Sequence, residues 1–249
     1  MDPANVLILF AVGVISSFMN VMAGGGSAIA LPVLIFMGLD SAAANGTNRV
    51  ALVLQNIFAV SSFRNQEVHA LRQSLKFTAW AMPGAVAGAV LGVTISDDWF
   101  QRILGIVMIA TVITILLPQK ASAAIDEGAN RKRERWIYPI MAGIGFYGGF
   151  IQVSVGFLFM AALYHVMKMN LVFVNMHKVT IVMLYMVPAL AVYAWTGNVN
   201  WILGLTLGVG SAVGGWWAAK ISVKGGEKII RIVLVVAILV MAAKLLGLF

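Results

Sequence analysis

Long apolar runs follow one another along the whole chain, with short polar stretches between them. The runs lie near 4–22, 27–38, 43–63, 73–95, 100–118, 137–151, 156–167, 171–195, 200–219 and 227–247. A bilayer-spanning helix needs about 20 apolar residues, whereas strands of a membrane barrel alternate apolar and polar positions. Since helices satisfy their own backbone hydrogen bonds in lipid, the pattern predicts an all-α integral membrane protein.

The composition agrees with this fold class and limits what else the chain contains. Of the 249 residues, 61% are hydrophobic and 10% are charged, so little is left for a soluble domain. The formal net charge of +8 comes mostly from loops, which favours retention of those loops in the cytoplasm over nucleic-acid binding. The chain has no cysteine, so disulfides and Cys-based metal sites are excluded. The first run follows Asp2 without a basic region, and we expect it to be retained.

The longest polar stretch divides the chain into two similar parts. We predict a first transmembrane repeat at 1–118, a basic cytoplasmic linker at 119–136 and a second repeat at 137–249. Glycines recur at constant offsets: Gly13 and Gly26 as Gly143 and Gly156, and Gly84 and Gly88 as Gly210 and Gly214. This recurrence indicates a duplicated unit, although glycine-rich helix packing can produce some of the matches.

Lysine and arginine predict how the repeats are oriented. If each repeat makes four crossings, the basic loops divide between the two sides of the membrane. If the first helix of each repeat turns back as a broken hairpin, most basic residues share one side: Arg64, Arg72, Lys76, Lys120, Arg131, Lys132, Arg133, Arg135, Lys168, Lys220, Lys224 and Lys228. The bias of basic residues towards the cytoplasm therefore favours two inverted five-segment repeats, each opening with a broken hairpin helix, with both termini outside.

Small and polar residues interrupt the first helix of each repeat. The interruptions contain Gly24, Gly25, Gly26 and Ser27 in the first repeat, and Gln152, Ser154 and Gly156 in the second. Glycine lets the backbone turn and approach a ligand, and free N–H groups at the start of the next half-helix favour an anion. Broken helices in inverted repeats are typical of secondary transporters, which bind substrate between the breaks. Close packing of helices is the alternative explanation.

Each repeat also places a cation inside a long apolar helix. These positions occur in the motifs Asn45-Gly46-Thr47-Asn48-Arg49 and His177-Lys178. All nine acidic residues fall in or beside loops, so we expect an anionic substrate to compensate Arg49 and Lys178. Snorkelling to the interface is the alternative. His177 is the best candidate for a proton-responsive group, which makes protons the candidate coupling ion, but a packing histidine explains it as well.

At these residues the chain resembles the sulfite exporter TauE/SafE family, also called TSUP, over nearly its whole length. The resemblance rests on Gly24, Gly25, Gly26 and Pro32, on Gly38-Leu39 and the 45–49 motif, and on Gly143, Gly149, His177-Lys178-Val179 and Thr196-Gly197-Asn198-Val199. It implies export of sulfite, thiosulfate or a C2 organosulfonate such as sulfoacetate across a bacterial inner membrane, where the termini that the charge pattern places outside would be periplasmic. The second break departs from the glycine-rich family form at Gln152 and Ser154.

Together these patterns predict a secondary carrier, not an enzyme, that moves a small anion by alternating access around the two breaks. The predicted substrate-binding residues are Gly24, Gly25, Gly26, Ser27, Asn45, Thr47, Asn48, Arg49, Gln152, Ser154, Gly156, His177 and Lys178. No catalytic residue, metal ligand or cofactor is predicted, because the chain has no catalytic triad motif, no HExxH and no paired membrane carboxylates. A non-transporting subunit of a membrane complex and an intramembrane enzyme are the alternatives, and the oligomeric state stays open.

Overall fold

A computed structural model describes residues 2–104, 106 and 135–245, with side chains to 226 and at 228–230 and 232. Its helices are α1 (Pro3–Met22), α2 (Ser27–Phe36), α3 (Ser41–Arg64), α4 (Leu71–Thr94), α5 (Ile137–Phe150), α6 (Val155–Ala161), α7 (Leu171–Trp195) and α8 (Trp201–Leu245). A π-helical turn, Ala162–Val166, continues α6, and residues 97–104 are also helical. The described residues contain no strand, which confirms the all-α class.

Four of the described helices are long and apolar enough to cross a membrane. They are Pro3–Met22, Leu71–Thr94, Leu171–Trp195 and Trp201–Gly226. Many large apolar side chains on these helices face outward, including Leu7 at 69% exposed and Trp217 at 58%. Such exposure is unfavourable in water and suits contact with lipid chains.

Most helix boundaries lie within two residues of the predicted runs, but the last two runs are an exception. The break between the predicted segments at 200–219 and 227–247 is confirmed at Gly226, where φ is +59°, but the first segment is longer than predicted and runs on through 220–225. Lys220 and Lys224 had suggested a loop, but both are exposed on the helix surface, where lysine is a good helix former. The predicted segment beyond 106 and the linker at 119–134 lie outside the described residues.

The starts of three helices are held by polar side chains that accept from free backbone N–H groups. Asp2 accepts from the N–H of Ala4, and Asp40 from that of Ala43 at 2.8 Å. Asn170 likewise accepts from the N–H of Val172. These N-caps fix where α1, α3 and α7 begin.

The helix ends gather at two ends of the bundle. At the first, which we call the Asp40 end, Asn5 in α1, Phe36 in α2 and Leu203 in α8 border one cavity, and the Asp97 carboxylate accepts from the N–H of Ser41. At the second, the Arg72 end, Arg72 in α4, Tyr138 in α5 and Met167 after α6 border another. The outer ends of α1 and α2 thus lie together at one end, and those of α5 and α6 at the other.

Glycine allows two helix pairs to pack with their backbones close together. A Cβ atom at Gly210 in α8 would overlap the carbonyl oxygen of Phe10 in α1. In the same way, a Cβ atom at Gly88 in α4 would overlap the carbonyl oxygen of Phe146 in α5. The first helix of each half therefore packs on a helix of the other half, as small residues permit in membranes.

Candidate functional site

The chain between α1 and α2 meets the first turn of α6 at the backbone. Gly24 has a φ of +91°, and Gln152 and Ser154 have φ values of +67° and +58°. Gly24 lies so close to Gly156 that a Cβ atom on either would overlap backbone atoms of the other. Only glycine fits this approach, which brings the two predicted interruptions together.

Arg49 in α3 reaches the carboxyl end of α5. One terminal nitrogen donates to the Gly148 carbonyl at 3.2 Å and contacts the Met186 sulfur at 3.4 Å, and the other donates to the Gly149 carbonyl. The guanidinium also lies 4.5 Å from the centre of the Tyr193 ring. Arg49 is 0% exposed, so this cation lies entirely within the protein.

Lys178 in α7 makes the corresponding contact with the carboxyl end of α1. Its Nζ donates to the carbonyls of Asn20 at 3.1 Å and Val21 at 2.6 Å, and to Asn175 Oδ1 at 3.0 Å. The sulfur of Met160 lies 3.6 Å away. Arg49 and Lys178 therefore each bind the carboxyl end of a helix in the other half of the chain.

The two cations have partners within the protein, namely backbone carbonyls at the ends of α5 and α1, which the sequence did not predict. The last carbonyl groups of a helix have no partner within the helix and carry its negative partial charge. Arg49 and Lys178 satisfy such groups in α5 and α1. Sequence reasoning missed this pairing because a backbone carbonyl is available at every position and leaves no signal in the residue pattern.

The other polar residues of α3 divide between two environments. Asn45 donates from Nδ2 to the Phe150 carbonyl and to the Tyr193 hydroxyl, both at 2.7 Å, so it lies beside the second interruption. Thr47 instead accepts from the N–H of Asn200 at 2.9 Å. Asn45 therefore belongs with Arg49, whereas Thr47 ties α3 to the start of α8.

His177 lies in the part of α7 that is nearer the Arg72 end. Its Nδ1 is 2.8 Å from the Ser74 hydroxyl, and its ring meets Phe77 edge-on at 5.7 Å between centroids. The side chain is 1% exposed. Ser74 and Phe77 carried no signal in the sequence, because α4 showed only an apolar run.

Several predicted residues retain unused hydrogen-bonding atoms in the interior. Buried atoms with no hydrogen-bond partner among the described residues include Ser27 Oγ, Asn45 Oδ1, Asn48 Nδ2, Arg49 Nε and Ser154 Oγ. Buried polar atoms without partners are uncommon, since each costs about 1–3 kcal/mol. Gln152 is satisfied, because its Oε1 accepts from the Tyr185 hydroxyl at 3.1 Å.

Comparison with known proteins agrees with a membrane-transport role. The profile of the sulfite exporter TauE/SafE family matches residues 9–245. The probable membrane transporter protein YfcA of Escherichia coli strain K12 is 27% identical, over 98% of this chain and 91% of its own length. A probable membrane transporter protein of Haemophilus influenzae is 26% identical over 96% and 93% of the two chains.

A more distant relative, the probable membrane transporter protein YunE of Bacillus subtilis, is 22% identical over 96% of this chain and 97% of its own. No solved structure matches the chain significantly. The family profile covers nearly the whole chain, including both interruptions and both buried cations. The chain therefore belongs to the sulfite exporter TauE/SafE family of membrane transporters.

Proposed function

We propose that this transporter is a secondary carrier that exports a small anion by alternating access around the two interruptions. The substrate class is sulfite, thiosulfate or a C2 organosulfonate such as sulfoacetate, in line with the name of the family. The observation that carries the proposal is the fully buried Arg49 guanidinium, whose Nε has no partner among the described residues. Asn48 Nδ2, on the preceding residue, is a second unused donor.

The balance of charge in the interior supports an anion. Arg49 and Lys178 contribute two positive charges, and each contacts a helix end that carries roughly −0.5 of a charge. About one positive charge is left over, with the starts of α2 and α6 adding positive partial charge beside the interruptions. A singly charged C2 sulfonate such as isethionate would neutralise this excess and accept from the unused donors, whereas thiosulfate and sulfoacetate carry one negative charge more.

The helix arrangement supports two inverted repeats that each open with a broken hairpin. The outer ends of α1 and α2 lie at the Asp40 end, and those of α5 and α6 at the Arg72 end. Each cation also binds a helix of the other half, since Arg49 binds α5 and Lys178 binds α1. Rocking of one half against the other would thus change the surroundings of both cations at once.

Charged residues support an orientation in the bacterial inner membrane. The Arg72 end carries Arg64, Arg72, Lys76 and Arg135, and the Asp40 end carries Asp2, Asp40 and Asp97 among its residues. The cytoplasmic bias of basic residues places the Arg72 end in the cytoplasm and both termini in the periplasm. Export would then proceed from the Arg72 end to the Asp40 end.

Protons remain the proposed coupling ion, with His177 as the carrier. Its ring lies beside Lys178 along the chain and contacts Ser74, so a change of its charge would act within the core. A His177→Gln variant keeps hydrogen bonding but cannot take up a proton on its side chain. If protons are coupled through this ring, the variant loses anion-driven proton movement in proteoliposomes. Unchanged proton movement would contradict the role.

The proposed function is tested by ligand-induced stabilisation of the purified protein and by flux. Sulfite, thiosulfate, isethionate, sulfoacetate, a dicarboxylate and sodium are each added, and the midpoint of thermal unfolding is measured. A ligand at 100 times its Kd adds about 2.7 kcal/mol to the stability of the folded state. We expect stabilisation by one sulfur anion and saturable flux of that anion in proteoliposomes. A response to sodium alone would contradict the anion site, and absence of flux by protein alone would favour an accessory subunit.

A further inference from the structure

Two cavities lie at opposite ends of the bundle in corresponding surroundings. The one at the Arg72 end, about 670 Å³, lies where α4 and α5 begin and α6 ends. The one at the Asp40 end, about 480 Å³, lies where α1 and α8 begin and α2 ends. Each is thus bordered by both outer ends of one interrupted helix pair and by the start of a helix from the other half. We call them the Arg72 cavity and the Asp40 cavity.

The two cavities differ in charge. Arg72, Lys76 and Arg135 border the Arg72 cavity, and no carboxylate is among its described lining residues. The described lining of the Asp40 cavity is uncharged, with Asn5 as its polar side chain beside Phe36, Met37 and Leu203. Three cations around one opening raise the local concentration of an anion by about tenfold, even with solvent screening.

Phe77 links the Arg72 cavity to His177, the residue that precedes Lys178 in α7. Phe77 borders the cavity and is 2% exposed. Behind it lies the ring of His177, at 5.7 Å between centroids, with Ser74 hydrogen-bonded to the ring atom Nδ1. The next residue along α7 is Lys178, whose Nζ binds the end of α1.

We infer that the two cavities are the vestibules of a single anion route and that the basic one makes this route asymmetric. Sulfonate-class anions are captured at the Arg72 end and released through the uncharged cavity at the Asp40 end. The KM for substrate is therefore lower from the Arg72 end. Phe77, packed on His177, closes the basic vestibule. This inference rests on the proposed anion transport and adds the side of capture and the residues responsible.

The absence of cysteine from the chain allows a direct test. Gln73 lines the Arg72 cavity and Asn5 lines the Asp40 cavity, so the Gln73→Cys and Asn5→Cys variants form a matched pair. Each is labelled with 2-sulfonatoethyl methanethiosulfonate, itself a C2 sulfonate, and with the cationic trimethylammonioethyl reagent. We expect the ratio of anionic to cationic labelling rates to be about tenfold higher for Gln73→Cys. Equal ratios in the two variants overturn the inference.

Two additions establish that the selectivity belongs to a substrate vestibule. Adding Lys76→Gln to Gln73→Cys should lower the ratio several-fold, and isethionate should slow anionic labelling. An anionic lipid headgroup would use the same cations, so labelling is repeated in vesicles with and without phosphatidylglycerol. Protection by phosphatidylglycerol with none by isethionate would make this a lipid site and overturn the inference.

The closing role of Phe77 has its own readout. Ser74 is fully buried, so the Ser74→Cys variant should label slowly. Replacing Phe77 by Leu or Ala should raise its labelling rate about tenfold or more. If Ser74→Cys stays unreactive in both folded double variants, Phe77 does not close the route.

Flux measurements separate failure of this inference from failure of the carrier function. In proteoliposomes of known orientation, Arg72→Gln with Lys76→Gln should raise the KM for isethionate about tenfold from the Arg72 end. The KM from the Asp40 end should change less than twofold, and the ratio of the maximal rates in the two directions should shift in step with the KM ratio, because a carrier cannot alter the transport equilibrium. Wild-type flux with no change of KM in the variant overturns the vestibule and leaves the carrier. Absence of flux of any sulfur anion by the wild type overturns both.

Discussion

The Arg49 and Lys178 sites occupy corresponding places in the two halves, yet they use their hydrogen bonds differently. Both side chains reach a helix end in the other half, and each also contacts a methionine sulfur. The three donors of Lys178 are matched by three oxygen atoms, from Asn20, Val21 and Asn175. Arg49 binds two carbonyls and keeps Nε unused among the described residues.

This difference indicates that the two cations have different roles. The Lys178 ammonium group uses all three of its donors to hold the end of α1, so it has no donor left for a ligand. A guanidinium is always charged and presents its donors in a planar fork, so it can hold a helix end and bind an anion at once. We therefore expect Lys178 to act mainly on stability and Arg49 on both stability and substrate affinity.

The largest expected effect follows Arg49→Ala. It removes the proposed anion ligand and leaves the carbonyls of Gly148 and Gly149 unsatisfied, at about 1–3 kcal/mol each. Flux should fall to background while membrane insertion persists, as measured in proteoliposomes and by fractionation. The matched control Arg49→Lys keeps the charge without the fork, and we expect it to weaken anion binding at least tenfold. Normal flux in Arg49→Ala would remove Arg49 from the site.

Lys178→Met tests the other side of the comparison. Methionine retains much of the length of lysine, so the main loss is three hydrogen bonds to Asn20, Val21 and Asn175. We expect a loss of about 2–3 kcal/mol in the free energy of unfolding, since net hydrogen bonds to charged groups contribute about 1.5–3 kcal/mol each and repacking recovers a part. In the folded fraction, the Kd for the anion should change less than threefold. A tenfold rise would show that both cations bind substrate.

The contact between the two interruptions should matter for both sites. A methyl group at Gly156 would overlap the Gly24 backbone, whereas a methyl group at Gly143 on α5 would meet no opposing atom within 4 Å. We expect Gly156→Ala to lower stability by about 2 kcal/mol or more through overpacking, and Gly143→Ala to be neutral or stabilising. Thermal unfolding of the pair measures the difference. Equal midpoints would mean that the interruptions are not in contact.

Tyr193→Phe tests the Arg49 site alone, and we expect it to lower stability less than Gly156→Ala. The hydroxyl donates to the Phe150 carbonyl at 3.0 Å and accepts from Asn45, and the ring under Arg49 is kept in the variant. Loss of these bonds should cost about 1 kcal/mol in the free energy of unfolding. A loss of binding larger than the loss of stability would place the hydroxyl itself against the substrate.

Acidic pH should slightly weaken the hydrogen bonding that stabilises the start of α3, and should weaken that at the start of α7 less. Hydrogen bonding from Ser41 holds the pKa of Asp97 below its usual value of 3.8. Because the folded pKa is lowered, the stabilisation is present above pH 3.8 and is lost as the pH falls through the lowered value. The difference in unfolding midpoint between wild type and Asp97→Asn should therefore shrink at acidic pH. Asn170, which caps α7, is neutral, and a constant difference would contradict the role of Asp97.

Sequence patterns alone predicted the helical class and most helix boundaries, because bilayer length and hydrophobic periodicity are local properties. They also predicted that Gly24, Gly156, Arg49 and Lys178 would matter, since three successive glycines and buried cations are rare in apolar helices. The continuation of α8 through 220–225 was missed, because lysines on an exposed helix surface have the composition of a loop.

Only the tertiary structure decided what these residues contact. The partners of Arg49 and Lys178 are main-chain carbonyls about 100 and 160 positions away, and every residue carries such a group. Which carbonyls are free depends on where α5 and α1 end and on which helix lies opposite. The different saturation of the two cations, and the different charge of the two cavities, likewise arise from side chains brought together by packing rather than from neighbours along the chain.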